Sequence, residues 1–179
     1  MRIRRYASLA LLAIFVAAAP PASAPSTRIV PATRPSGSPD TGIVEDAAVA
    51  SPARSKPDGT VNQGWIRHHD QFVATAKKGN IDLYMEGDSI TDFWGTRFKA
   101  NWEKNLGGWK PGDFGISGDR TQNLLYRIDN GEFDGVSPKV VVLLVGTNNL
   151  ASNATYGENS VEDTVKGVAA VVKDIQKHA

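Results

Sequence analysis

Three short polar segments carry residue types that could stabilise an oxyanion: Gly87-Asp88-Ser89, Ser117-Gly118-Asp119-Arg120-Thr121 and Gly146-Thr147-Asn148-Asn149. Each contains a glycine, whose lack of a Cβ lets backbone N–H groups face a ligand. A serine placed where a strand turns into a helix has an exposed Oγ, and its own N–H is one of the unpaired donors of the first helical turn. The N–H of Gly118 and the side-chain amide of Asn148 would join the N–H of Ser89 in a three-donor oxyanion hole. Donors fixed at a developing alkoxide are often the largest single catalytic contribution, one side-chain donor being worth roughly 3 kcal/mol. Each segment can also be read as a tight turn with a helix cap, and for Gly87-Asp88-Ser89 taken alone that reading prevails. Three of them on successive strand ends point to acyl chemistry.

The elements that must position these loops alternate. Asn62–Lys78 reads as a helix, with Trp65, His69, Phe72, Val73 and Ala76 at three- and four-residue spacing and Gly79-Asn80 as its stop. Ile81–Glu86 and Asp113–Ser117 read as short strands, and Thr121–Ile128 as a helix with Leu124, Leu125 and Ile128 inward. Lys139–Val145 (KVVVLLV) is the apolar, β-branched run expected of a strand buried on both faces of a parallel sheet. A final helix has Val161, Val165, Val168, Val172 and Ile175 as its apolar stripe, with Ser160 and Asp163 as a capping box. Strands alternating with helices predict an α/β fold with a parallel, doubly wound sheet, in which ligands bind beyond the carboxyl ends of the strands.

Composition divides the 179 residues into three. Arg2, Arg4 and Arg5, the uncharged run Ala7–Ala19 and the small residues Ala22-Ser23-Ala24 form the three-part pattern of a secretory signal peptide over residues 1–24. This predicts an exported protein, extracellular or periplasmic, tethered to the membrane if the segment is retained. Residues 25–60 hold six of the ten prolines and no aromatic residue, which predicts a mobile linker without assigned structure. Residues 61–179 carry twelve of the fourteen aromatics and are read as the folded unit. The formal charge of +1 rests on the leader's three arginines; the remainder has 17 basic against 19 acidic residues, which argues against a nucleic-acid partner. With no cysteine, disulfides, thiolate metal sites and a cysteine nucleophile are excluded.

From about Trp65 onward the chain resembles the SGNH, or GDSL-type, esterase superfamily, in particular the branch related to the catalytic subunits of platelet-activating-factor acetylhydrolase. MEGDSITDFWG is similar to the first family block, GISGDRTQNLLYRI to the second and VVLLVGTNN to the third, in the family's order. The resemblance implies a flavodoxin-like three-layer α/β/α fold and a serine hydrolase of small acyl esters, with no cofactor or metal. Ser89 is then the nucleophile and a hole donor, Gly118 the second donor and Asn148 the third, with Asn149 where many relatives carry Asp. The implied substrate is a small-molecule or carbohydrate ester.

The family's fourth block, an Asp and a His three residues apart, has no counterpart after Asn149. His68 and His69 lie on the first predicted helix, where a partly exposed structural role is expected, and His178 lies near the final residue. The chain is therefore expected to hold only the first three strands of the fold, to leave Lys139–Val145 as an apolar edge, and to be nearly inactive for want of its base. The alternative is a noncatalytic remnant that binds in an intact crevice.

Overall fold

A computed structural model of the chain describes residues 42–179 and the backbone of residues 13–14. The linker's residues 25–41, and all of the expected signal peptide but residues 13–14, lie outside the described residues.

The sheet is parallel throughout, in the order β1-β4-β2-β3: β1 Ala13–Ile14, β2 Leu83–Gly87, β3 Pro111–Gly115 and β4 Val140–Leu144. The helices are α1 Gln63–Ala76, α2 Ser89–Gly95, α3 Lys99–Leu106, α4 Thr121–Arg127 and α5 Val161–His178. Apart from the two-residue β1, this is an α/β arrangement of three parallel strands flanked by helices, consistent with the SGNH hydrolase fold that the sequence resemblance implied. The two-residue β1 pairs with Val142 and Leu143, so the outer edge of β4, expected to be open, is partly occupied by backbone from within the chain.

Alternation along the strands decides what covers each face. Tyr84, Phe114, Val141 and Leu143 point to one side and form the core with Ala76 of α1, Leu124 and Leu125 of α4, and Val171 and Ile175 of α5. On the other side α2 crosses β3, where the Gly95 N–H donates to Asp113 Oδ2 at 2.6 Å. In β4, Val141 and Leu143 are buried while Val140, Val142 and Leu144 are only half-buried. The expectation of full burial on both faces is thus corrected, because α1, α4 and α5 all pack on the Val141 and Leu143 side.

The apolar stripe of α5 also differs from its expected position. Val161 and Val165 are 68% and 62% exposed, and the helix instead buries Thr164, Gly167, Val171 and Ile175. Gly167 explains the rotation. A Cβ there would lie 2.5 Å from both the Ala47 carbonyl oxygen and Thr121 Oγ1, so only glycine permits this approach.

Residues 42–60, expected to belong to a mobile linker, run as an ordered strap, and the expectation is corrected for this part. Thr121 Oγ1 donates to the Ala47 carbonyl at 2.7 Å, Asn123 Nδ2 to the Ser51 carbonyl at 3.0 Å and Asn159 Nδ2 to the Glu45 carbonyl at 2.8 Å. Ile43 bridges to Tyr156, and the Arg54 N–H donates to the Tyr156 hydroxyl at 2.6 Å. The segment has no aromatic residue and leaves Val44 and Val49 exposed, but its backbone groups find partners on the domain, which is enough to order it. Among the described residues, no helix is long and apolar enough to cross a membrane.

Candidate active site

Register places the three polar loops together. Gly87 at the end of β2 is level with Gly115 of β3 and Leu144 of β4, so the segments that follow emerge side by side at the carboxyl edge of the sheet. Glycine is required there by contact. A Cβ on Gly87 would sit 2.4 Å from the Leu144 carbonyl oxygen, and one on Gly115 would sit 2.1 Å from the Asp92 nitrogen.

Ser89 is the first residue of α2, and Asp88 caps that helix by accepting from the Ile90 N–H at 3.0 Å. Gly118 lies in the turn after β3 with φ of +90°, a conformation that favours glycine. Asn148 lies in a single 3-10 turn after β4, Thr147–Leu150. The N–H groups of Ser89 and Gly118 donate to no partner among the described residues. Asn148 Nδ2 donates one hydrogen to the Asp119 carbonyl at 2.8 Å, which ties the third loop to the second and leaves its other hydrogen. Asn149 is fully buried: its Oδ1 accepts from the Thr121 N–H at 3.0 Å, and its Nδ2 donates to Gln122 Oε1 and Asn159 Oδ1, both at 3.0 Å. It staples the third loop to the start of α4.

Behind the second loop lies a buried ionic cluster that the sequence reading missed. Asp119 is 1% exposed and accepts from Trp65 Nε1 at 2.6 Å and from an Arg127 guanidinium nitrogen at 2.7 Å. Arg127, wholly buried, also bonds Glu132 (Nε to Oε2 at 2.7 Å) and the Phe114 carbonyl, and lies 3.0 Å from Glu86 Oε1. His69 Nδ1 is 3.1 Å from Glu132 Oε2, and the residue is 4% exposed, so the partly exposed role expected for it is corrected. The signal lay in Glu86 and Arg127, two charges on faces that otherwise point inward beside Tyr84 and Leu124.

The charges divide unequally. Burial pushes the Asp119 carboxyl up to about 7, against the pull of Arg127 and the Trp65 hydrogen bond. Burial also drives Glu86 far above the ordinary carboxylate range, although Arg127 opposes it. Burial acts on Glu132 in the same direction, but Arg127 and His69 outweigh it and hold Glu132 below its usual value. Arg127 therefore has Glu132 as its principal counter-ion. None of the three histidines hydrogen-bonds to Ser89 in the described residues. Asp129, Asp174 and His178 bring potential metal-ligand atoms within 4.8 Å of one another, but they follow α4 and end α5, away from the three loops.

The GDSL-like lipase/acylhydrolase family matches residues 86–179, from the end of β2 through all three loops to α5. The chain belongs to this family. Among its relatives, the human platelet-activating factor acetylhydrolase IB subunit alpha2 is 33% identical over 109 residues, covering 61% of this chain and 44% of that protein. The Drosophila melanogaster subunit beta homolog is 34% identical over 121 residues, covering 68% and 50%. The rat subunit alpha1 is 33% identical over 119 residues, covering 63% and 45%. This GDSL-family chain spans about half the length of the curated relatives it matches. These relatives correct one expectation. They are intracellular enzymes, which points against the exported, or membrane-tethered, protein read from residues 1–24.

Proposed function

We propose that the protein is a serine hydrolase of carboxylic esters with small acyl groups, O-acetyl esters foremost. Ser89 Oγ attacks the acyl carbon, and the N–H groups of Ser89 and Gly118 and the free hydrogen of Asn148 Nδ2 receive the oxyanion. The ester C–O bond then breaks, the alcohol leaves with the serine proton, and water releases the acid from the acyl-enzyme. The observation that carries this reading is the convergence of the three loops at one sheet edge, with two backbone donors unspent. Membership of an acylhydrolase family supports it.

A serine hydroxyl is a weak nucleophile until a base takes its proton. Ser89 has no such partner among the described residues, and loss of the histidine in a serine hydrolase costs about 10⁶ in kcat. The 179-residue chain is therefore expected to be nearly inactive on p-nitrophenyl acetate while reacting slowly and selectively at Ser89. Incubation with excess fluorophosphonate, followed by intact-mass and peptide analysis, should give one adduct, on Ser89, that is lost in Ser89→Ala. An adduct on another residue, or fast p-nitrophenyl acetate hydrolysis that persists in Ser89→Ala, would overturn the assignment.

A further inference from the structure

A cavity of about 320 Å³ opens beside Gly118, on the side of the second loop that faces the strap. Its walls come from the strap (Ala53, Arg54), α1 and its cap (Asn62, Trp65), the loop after β3 (Ser117 to Asp119), α4 (Asn123) and the loop before α5 (Asn153 to Tyr156). The walls are held in place before any ligand arrives. The Arg120 guanidinium stacks on the Tyr156 ring at 4.5 Å and donates to the carbonyls of Gly157 and Ala151 at 2.8 and 2.6 Å. Tyr156 in turn accepts from the Arg54 N–H.

Size and polarity restrict what such a cavity takes. Its volume is that of a pocket for a whole small molecule, about 300 Å³ or more, and far exceeds the need of an acetyl methyl. The wall combines the amides of Asn62 and Asn153 with the rings of Trp65 and Tyr156, so a ring that carries hydroxyls can satisfy both, whereas a bare alkyl chain would leave the amides without partners. Besides the Gly118 N–H, two side-chain amides are unspent. Asn62 Oδ1 accepts from the N–H groups of Gly64 and Trp65, and Asn153 Oδ1 from those of Thr155 and Tyr156. Neither Nδ2 makes a hydrogen bond among the described residues. Guanidinium nitrogens of Arg54, by contrast, are already bound to Glu45, Gly59 and Ser51.

We propose that this cavity binds the alcohol portion of the ester, and that this portion is a polyhydroxylated ring of the size of one sugar unit, with Asn62 and Asn153 as specificity-determining donors. The inference rests on the esterase reading for the position of the reacting carbonyl beside Gly118. It gives the strap a role in recognition, although the strap precedes the segment matched by the family.

Binding can be measured without turnover. The full chain is titrated with a mono-O-acetylated methyl hexopyranoside, and with hexyl acetate as the apolar comparison, by calorimetry and through the Trp65 indole N–H resonance. Asn62→Asp and Asn153→Asp keep the oxygens that accept from the backbone and exchange each amide donor for a carboxylate oxygen. Each should weaken sugar-ester binding roughly five- to tenfold, the range for one hydrogen bond. Ala154→Trp, at an exposed lining position, should abolish it. No saturable sugar-ester binding, three pocket variants that bind like the parent, or preferred binding of hexyl acetate would each overturn the proposal. The expected binding pattern without a Ser89 fluorophosphonate adduct overturns the esterase reading alone. An adduct without sugar-ester binding overturns the pocket alone.

Discussion

Asp119 links the buried cluster to the candidate oxyanion hole: its side chain is gripped by Trp65 and Arg127, its carbonyl accepts from Asn148, and its neighbour is Gly118. Its folded carboxyl titrates near 7, above the ordinary 3.8, so between these values the native state holds a proton that the unfolded state has lost. Stability should then fall as pH rises through that window. Asp113, raised by burial to about 6, and Glu86, raised well above its ordinary range by burial, act with the same sign, while His68, lowered by burial, acts against it. Urea unfolding should show a lower midpoint at pH 7.5 than at pH 5, with a shallower difference in Asp119→Asn; an equal slope in both would contradict the assignment. Asn148→Ala removes a donor and the tie to Asp119, and should slow fluorophosphonate labelling of Ser89 by roughly 10²- to 10³-fold. A rate within twofold of the parent would take Asn148 out of the hole.

At the scale of elements, the site depends on how closely three strand ends approach α2. Gly115→Ala puts a methyl onto the Asp92 backbone and should destabilise by about 1–3 kcal/mol, as overpacking does, read from denaturant midpoints. Gly118 differs, since a Cβ there meets nothing within 4 Å and only its φ resists substitution. The strands and the long helices were legible because hydrophobic period and caps are local: Ser160 caps α5 as its capping box foretold, and Asn62, read as the first residue of the helix, is the cap of α1. The rotation of α5 was not legible. Valines at helical spacing mark an apolar stripe, but the face that packs was chosen by Gly167 meeting Ala47, a residue 120 positions earlier. The helix α2, and α3 with no buried residue, also lay beneath periodicity analysis, because neither is long enough to display a stripe.

Across the whole molecule, the strap joins parts of the chain that composition had separated. It is held at Tyr156, Thr121, Asn123 and Asn159, so its order depends on the loops at the carboxyl edge. Tyr156→Phe deletes the acceptor of the Arg54 N–H while leaving the ring under Arg120. Hydrogen exchange at Arg54 should accelerate by about fivefold or more with α5 unaffected. Unchanged protection at Arg54 would show that the strap is held by its other contacts alone.

The sequence by itself determined the α/β class, the family and the three loops that carry Ser89, Gly118 and Asn148, because period, glycine placement and short motifs are properties of neighbouring residues. Only the tertiary structure decided that Asp119 sits in a buried ionic cluster, that α5 turns on Gly167, and that a segment without aromatic residues forms a pocket wall. Each depends on partners tens of residues away, where desolvation, close approach and backbone hydrogen bonding follow from the fold rather than from local composition.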